Sequence, residues 1–235
     1  MSGSERVSAS SPGGTDRGIC YDIRVIEGAL KQWFPTAFVR AAEIKSYPLL
    51  QEEEALVVRA VASRRNEFST GRWLARQGLQ GLGLADSPIG MGRLRNPLWP
   101  SNVVGTISHD GDLCAVALLK KPDNPELGIG LDLVAKALRK EQMTPLLPMF
   151  LTDARELVAL SAIETSVDRA LLLFSIKESV IKALSYRLTD FIDMRAVEVY
   201  FTNKLQFKVF GHEINGNIYI ATSENYLVTA ANALK

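Results

Sequence analysis

Cysteine is nearly absent from this sequence, and so are long apolar runs and any imbalance of charge. The two cysteines, Cys20 and Cys114, make neither a disulfide framework nor a metal-ligand spacing. They fit a reducing cytosol, where structural disulfides are rare. A net charge of +1 excludes any global attraction to nucleic acid or to an anionic membrane. No apolar run approaches the roughly 20 residues that a membrane-spanning helix needs. The opening "MSGSERVSASSPGGTDRG" lacks the apolar core of a signal peptide. It is rich in Ser and Gly, so residues 1–18 are expected to form a disordered tail. What remains is an ordinary globular composition, 47% apolar and 23% charged.

Periodicity divides that remainder into helices and hairpins. Residues 51–82 read as one long helix, with Glu52, Glu53 and Glu54 in a first turn where the helix dipole favours acids. A Gly/Pro-rich connection follows. "VVGTISHDGDLCAVALLKK" reads as two strands joined by a turn at His109–Asp112. "KPDNPE" marks a boundary between halves, placed as 19–125 and 126–235. "LGIGLDLV" is a further strand, and "TDARELVALSAI" a helix with Asp153 as N-cap and Glu156 three residues on. Residues 167–186 form another helix. The C-terminal stretch alternates like three or four antiparallel strands with an Asn-Gly turn. Each half thus mixes helix with hairpins, which makes the class α+β.

Four groups of residues carry candidate chemistry. Arg65, Arg72 and Arg76 fall on nearly one line of the long helix. They read either as a phosphate-holding stripe or as a solvated face with snorkelling stems. In "ISHDG", His109 follows a strand in a polar turn, where its ring can donate to a phosphate oxygen, and Ser108 adds a hydroxyl. On "GIGLDLV", Gly128, Gly130, Asp132 and Val134 share one face. Two glycines there suggest close approach of a ligand or of backbone. An aspartate inside such a strand needs a partner or a metal. In "FSIKESVIKAL", Glu178 lies in a row with Phe174 and Ile181, with Lys182 four residues on. A Glu-Lys helix pair is the plain reading. A carboxylate among apolar neighbours also suits a divalent cation such as Mg²⁺.

Taken in order, these motifs resemble the 4′-phosphopantetheinyl transferases. "GIGLDLV" followed by "FSIKESVIKAL" looks like the family's signature pair. "RRNEFSTGRWLAR", "NPLWP" and "GTISHD" resemble the upstream motifs of its larger, pseudo-dimeric (surfactin-type) branch, and above all of the enterobactin-synthase component D group. The resemblance implies two similar α+β halves with the active site in the cleft between them. It implies Mg²⁺-dependent transfer of the phosphopantetheine arm of coenzyme A to a serine of an apo acyl- or peptidyl-carrier domain, with release of 3′,5′-ADP. By motif position, Asp132 and Glu178 bind Mg²⁺. Arg65, Arg72, Ser108, His109 and Lys177 hold coenzyme A, with Arg95 as the choice for a lysine of some relatives. Lys182 steadies the pyrophosphate, and Glu178 is also the candidate base. A cytoplasmic monomer acting in siderophore or other secondary metabolism, with no nucleic-acid or membrane partner, is the accompanying expectation.

Two positions depart from the pattern. Val134 stands where the larger branch carries a second acid beside the aspartate, and Asp110 follows His109 where Cys, Ser or Thr is usual. They leave open a catalytically impaired coenzyme A-binding homologue, and a Mg²⁺-dependent phosphohydrolase is a third reading. The segment "KALRKEQMTPLLPMFLTDARE", with Lys136, Arg139 and Lys140, is the expected carrier-docking surface.

Overall fold

The computed structural model describes residues 14–121, 128–139, 143–211 and 214–234. Its first half runs α1 (Gly14–Trp33), β1 (Phe38–Glu43), α2 (Gln51–Val57), α3 (Ala62–Gly81), β2 (Gly90–Met91), β3 (Pro97–Leu98), β4 (Val103–Asp110) and β5 (Leu113–Lys120). The second runs β6 (Gly128–Ala135), α4 (Lys136–Arg139), α5 (Leu147–Phe150), α6 (Arg155–Ser161), α7 (Arg169–Leu184), β7 (Val197–Phe201), β8 (Leu205–Val209), β9 (Ile214–Thr222) and β10 (Tyr226–Leu234).

The two halves share a plan. One antiparallel sheet has the order β1-β5-β4 and the other β6-β10-β9-β8-β7. In each, the first strand of the half and its last hairpin form the same three-stranded arrangement. One long helix, α3 or α7, joins them in sequence and packs on one face of the sheet. The apolar clusters follow from this. One lies between α3 and its sheet (Leu74, Leu79, Val116, Leu118), and another between α7 and the larger sheet (Leu172, Ile176, Val180, Phe207). A third fills the opposite faces of both sheets beneath α1, where Ile26 and Leu30 meet Ala115, Leu131, Leu133 and Val228. The class is α+β with two similar halves, as expected.

Strand alternation explains how the halves are stitched. Thr106, Ser108 and Asp110 occur every second residue on β4 and face β6. Their side-chain oxygens accept from the backbone N–H groups of Leu131 (3.1 Å), Leu133 (3.0 Å) and Ala135 (2.9 Å). On β6, Ile129, Leu131 and Leu133 enter the shared core while Val134 joins the α7 cluster. Gly128 and Gly130 are explained by α7. A Cβ on Gly130 would lie 1.8 Å from the Ser179 carbonyl oxygen, and one on Gly128 2.0 Å from that of Ala183. The close approach expected at these glycines is therefore one of backbone to helix.

Several boundaries differ from expectation. The tail predicted over 1–18 overlaps α1, which begins at Gly14; residues 1–13 lie outside the described ones. α1 is amphipathic and gains its stability from the shared core, a tertiary contact that composition does not reveal. The long helix predicted over 51–82 is two, broken between Val57 and Ala62. The β4–β5 turn is only Gly111-Asp112, with Gly111 at φ 56°, so His109 and Asp110 belong to β4. The Asn-Gly turn does not form: Asn215 and Gly216 lie inside β9, paired with β10, and Gly211 at φ 76° serves the β8–β9 connection. The helix predicted over 167–186 is α7, capped by Asp168, which accepts from the N–H groups of Ala170 and Leu171. The "KPDNPE" break and His212 fall outside the described residues, except for Lys121.

Candidate active site

Asp132 stands near the middle of β6 and is 7% exposed. Its Oδ2 accepts from the Ser175 hydroxyl at 2.8 Å, and Ser175 is itself tied to Thr229 on β10. Its Oδ1 accepts from the Lys182 ammonium at 2.7 Å and from the Ser108 hydroxyl at 3.3 Å. Lys182 also donates to Ser108 Oγ at 3.0 Å. Strand β4, strand β6 and helix α7 therefore converge on one carboxylate. Ser175, Glu178 and Lys182 are spaced i, i+3 and i+7, which puts them on one face of α7. That spacing was the available sign of Ser175, which the motif reading passed over.

Glu178 is half-buried, and its carboxyl pKa is raised. Burial is the main cause, the nearby Asp132 carboxylate adds to it, and Lys182 opposes it. Glu178 borders an apolar trough with a cavity volume near 400 Å³, walled by Arg95, Ile107, Phe191 and Met194. Lys182 lies between this trough and a larger lobe of about 560 Å³ lined by Arg93, Trp99, Gly105 and Tyr186. The "NPLWP" turn forms the wall here because Trp99 packs against Gly105, where a Cβ would be 2.9 Å from the indole ring. Arg95 adopts φ 62°, outside the usual region for an arginine.

The remaining candidates separate. Ser108 and His109 are adjacent on a strand and so point to opposite faces. Ser108 faces Asp132, while His109 faces α3, where its Nε2 accepts from Arg64 at 2.8 Å and its Nδ1 lies 3.5 Å from Glu67. Burial, with help from Arg64 and Lys182, lowers its pKa, although Glu67 opposes this. Asp110 accepts from Ala135 N–H and pairs with Arg139 at 3.2 Å, so both of its carboxylate oxygens already have partners.

Three residues expected to hold coenzyme A are engaged by other partners in this structure. Arg65 pairs with Glu54. Arg72 is 4% exposed, donates to the carbonyls of Ile89 (2.9 Å) and Gly90 (3.2 Å), and stacks on Phe68. Burial pushes its pKa down to about 10. Arg76 is bound likewise to Glu53 and to Pro48 O, so the stripe ties α2 and the 86–90 segment to α3. Lys177 requires the clearest correction. It is fully buried, and its ammonium meets Phe150 O (2.6 Å), Thr152 Oγ1 (2.8 Å), Glu156 (2.9 Å) and Met194 O (3.3 Å). Three N–H donors facing these acceptors have nothing left for a phosphate. One residue from Glu178 on a helix means about 100° of rotation, which turns Lys177 away from the cleft.

A divalent cation fits what is present. Asp132 on β6 and Glu178 on α7 offer carboxylates from two elements, and the Lys182 ammonium already lies against Asp132. Mg²⁺ is commonly held by one or two carboxylates plus water and substrate oxygens. Val134, buried on the Asp132 face of β6, supplies no third acid. No group of three or more His, Cys, Asp or Glu residues that could hold a metal occurs among the described residues.

A family described as the 4′-phosphopantetheinyl transferase N-terminal domain matches residues 52–119, and the 4′-phosphopantetheinyl transferase superfamily matches residues 128–231. The chain is 37% identical over 162 residues to 4′-phosphopantetheinyl transferase Svp of Streptomyces mobaraensis, across 68% of this chain and 64% of that protein. It is 35% identical over 127 residues to enterobactin synthase component D of Salmonella typhimurium, across 54% and 50%. Against 4′-phosphopantetheinyl transferase PptT of Mycobacterium tuberculosis the identity is 47% over 60 residues, 26% of each chain. The chain spans less than two thirds of the length of each of these relatives.

Proposed function

We propose that this chain, which belongs to the 4′-phosphopantetheinyl transferase superfamily, transfers the phosphopantetheine arm of coenzyme A to a serine hydroxyl of an apo carrier domain. The observation that carries the reading is the convergence of Ser108, Asp132 and Lys182 beside Glu178 at the mouth of a divided cleft. In the reaction the serine oxygen bonds to the β-phosphorus of coenzyme A. The bond from that phosphorus to the bridging oxygen breaks, and 3′,5′-ADP leaves. Glu178 accepts the serine proton, directly or through water. Lys182 neutralises charge on the pyrophosphate, with Arg95 on the facing wall. Asp132 and Glu178 would hold Mg²⁺, which when bound supplies further neutralisation of the phosphate oxygens. Ser175 and Ser108 keep the Asp132 carboxylate oriented. A cytoplasmic monomer is part of this reading, and no helix among the described residues is long and apolar enough to cross a membrane.

The test is incubation with coenzyme A, Mg²⁺ and a panel of apo carriers, read by mass spectrometry. A phosphopantetheine mass gain on at least one carrier is expected. No gain on any carrier, with coenzyme A still bound, would favour an impaired homologue, the reading that Val134 supports. Release of free phosphopantetheine without a carrier would instead identify a phosphohydrolase.

Val134 also yields a prediction on metal use. Val134→Glu adds a carboxylate on the Asp132 face, so half-maximal transfer should need less Mg²⁺. Identical Mg²⁺ titrations of the two proteins would refute the idea that a ligand is missing.

Carrier docking is assigned to residues 136–156. Leu138, Leu146 and Met149 are exposed there, and Phe150 and Thr152 connect the segment through Lys177 to the helix of Glu178. Its cations are partly engaged: Lys136 donates to Ser223 O and Arg139 pairs with Asp110, while Lys140 lies outside the described residues. Charge reversal at Arg139 and Lys140 together should raise the apparent KM for carrier about two- to fivefold. An unchanged KM would move docking elsewhere.

A further inference from the structure

Lys182 is the feature that the transfer reading leaves incompletely used. Its ammonium does not project into empty cleft. It lies 2.7 Å from Asp132 Oδ1 and 3.0 Å from Ser108 Oγ, with the lysine side chain 30% and the aspartate side chain 10% exposed. The other carboxylate oxygen of Asp132 is engaged by Ser175. Val134, where a further acid could draw a cation elsewhere, is apolar and packed with the residues of α7. The cluster of Asp132, Glu178 and Lys182 thus carries two negative charges and one positive. Its positive charge sits on Asp132, one of the two carboxylates that would hold an incoming cation.

We propose that Lys182 is the resident counter-ion of Asp132, and that a divalent cation binds by displacing this ammonium. The inference rests on the reading of Asp132 and Glu178 as a cation site. Displacement has a functional consequence. Lys182 borders both lobes of the cleft, so an ammonium released from Asp132 is delivered to the space where a pyrophosphate would lie. Cation and phosphate ligand should therefore each raise the affinity for the other, because both favour the same displaced position of one side chain. The pairing also keeps Asp132 compensated when no cation is bound, which a buried carboxylate requires.

The test measures Mn²⁺ binding to the full chain, without coenzyme A, by the electron paramagnetic resonance signal of the free ion. Wild type is compared with Lys182→Met, Lys182→Gln, Arg64→Met and Asp132→Asn, each checked for cooperative thermal unfolding. Both Lys182 variants should bind Mn²⁺ about fivefold more tightly than wild type, the size of a part-exposed ion pair. Arg64→Met removes a cation bonded to His109 and Glu67 rather than to Asp132, and should change affinity by less than about twofold on the same basis. Unchanged or weaker binding in both Lys182 variants, with binding lost in Asp132→Asn, overturns the displacement and leaves the cation site standing. Equal tightening by Arg64→Met overturns it as well, since the effect would then be one of net charge. Mn²⁺ binding undiminished by Asp132→Asn, or absent from every protein, overturns the cation-site reading and the inference with it.

Discussion

Glu178→Gln is expected to lower transfer about 10²–10⁴-fold, the range for loss of a positioned general base, while making the protein more stable at neutral pH. The two effects have one origin. Burial raises the carboxyl pKa of Glu178 in the folded chain, with Asp132 adding to the shift and Lys182 opposing it. For an acid whose folded pKa is raised, the folded state binds the proton more readily than the unfolded one. Its contribution to stability is present below the unfolded carboxyl pKa of about 4.3 and is lost as pH rises through the folded value. A glutamine carries no charge to lose. In metal-free buffer, denaturant titrations should therefore show the variant ahead of wild type at pH 7 and the two converging below pH ~4. Near-normal transfer by Glu178→Gln would return this segment to a plain Glu-Lys helix pair. A loss of stability at pH 7 would show that the charged carboxylate is held by contacts stronger than its burial penalty.

Lys177→Met should cost about 3–5 kcal/mol of folding stability, because it leaves Glu156 charged and buried without its partner. Glu156 has further duties: it accepts from the N–H groups of Thr152 (2.7 Å) and Val199 (2.9 Å), so it cannot simply reorient. Adding Glu156→Gln, which removes the charge but keeps an acceptor, should recover part of the loss. Folded Lys177→Met should retain its affinity for coenzyme A, since the ammonium faces Phe150, Thr152 and Met194 rather than the cleft. Normal stability combined with a large rise in the KM for coenzyme A would restore the phosphate role that the motif position implies.

The contrast between Lys177 and Lys182 shows how far the sequence carries. Both lysines are fixed by one motif, and helical spacing alone puts Lys182 with Glu178 and turns Lys177 away. That separation was legible, yet the motif resemblance gave both lysines to coenzyme A. Similarly, alternation on β4 places Ser108 and His109 on opposite faces, although the resemblance pairs them on one ligand. The arginine line of α3 was correctly periodic. Its partners, Glu53, Glu54 and the carbonyls of residues 89 and 90, come from sequence distances of 11 to 23 residues, which periodicity does not see.

Local pattern by itself determined the α+β class, the alternating strands and the face shared by Gly128, Gly130, Asp132 and Val134. These depend on the backbone periods of 2 and 3.6 and on residue types, all of which are written along the chain. Tertiary structure alone decided that α1 is a helix roofing both halves, that 51–82 breaks in two, and what each charge faces. It made the partner of the β6 glycines the backbone of α7, and it set the ammonium of Lys182 on Asp132. The reason is physical: the cost of burying a charge, or of bringing two backbones together, is set by groups distant in sequence. Only the packed chain brings those groups within a few ångströms.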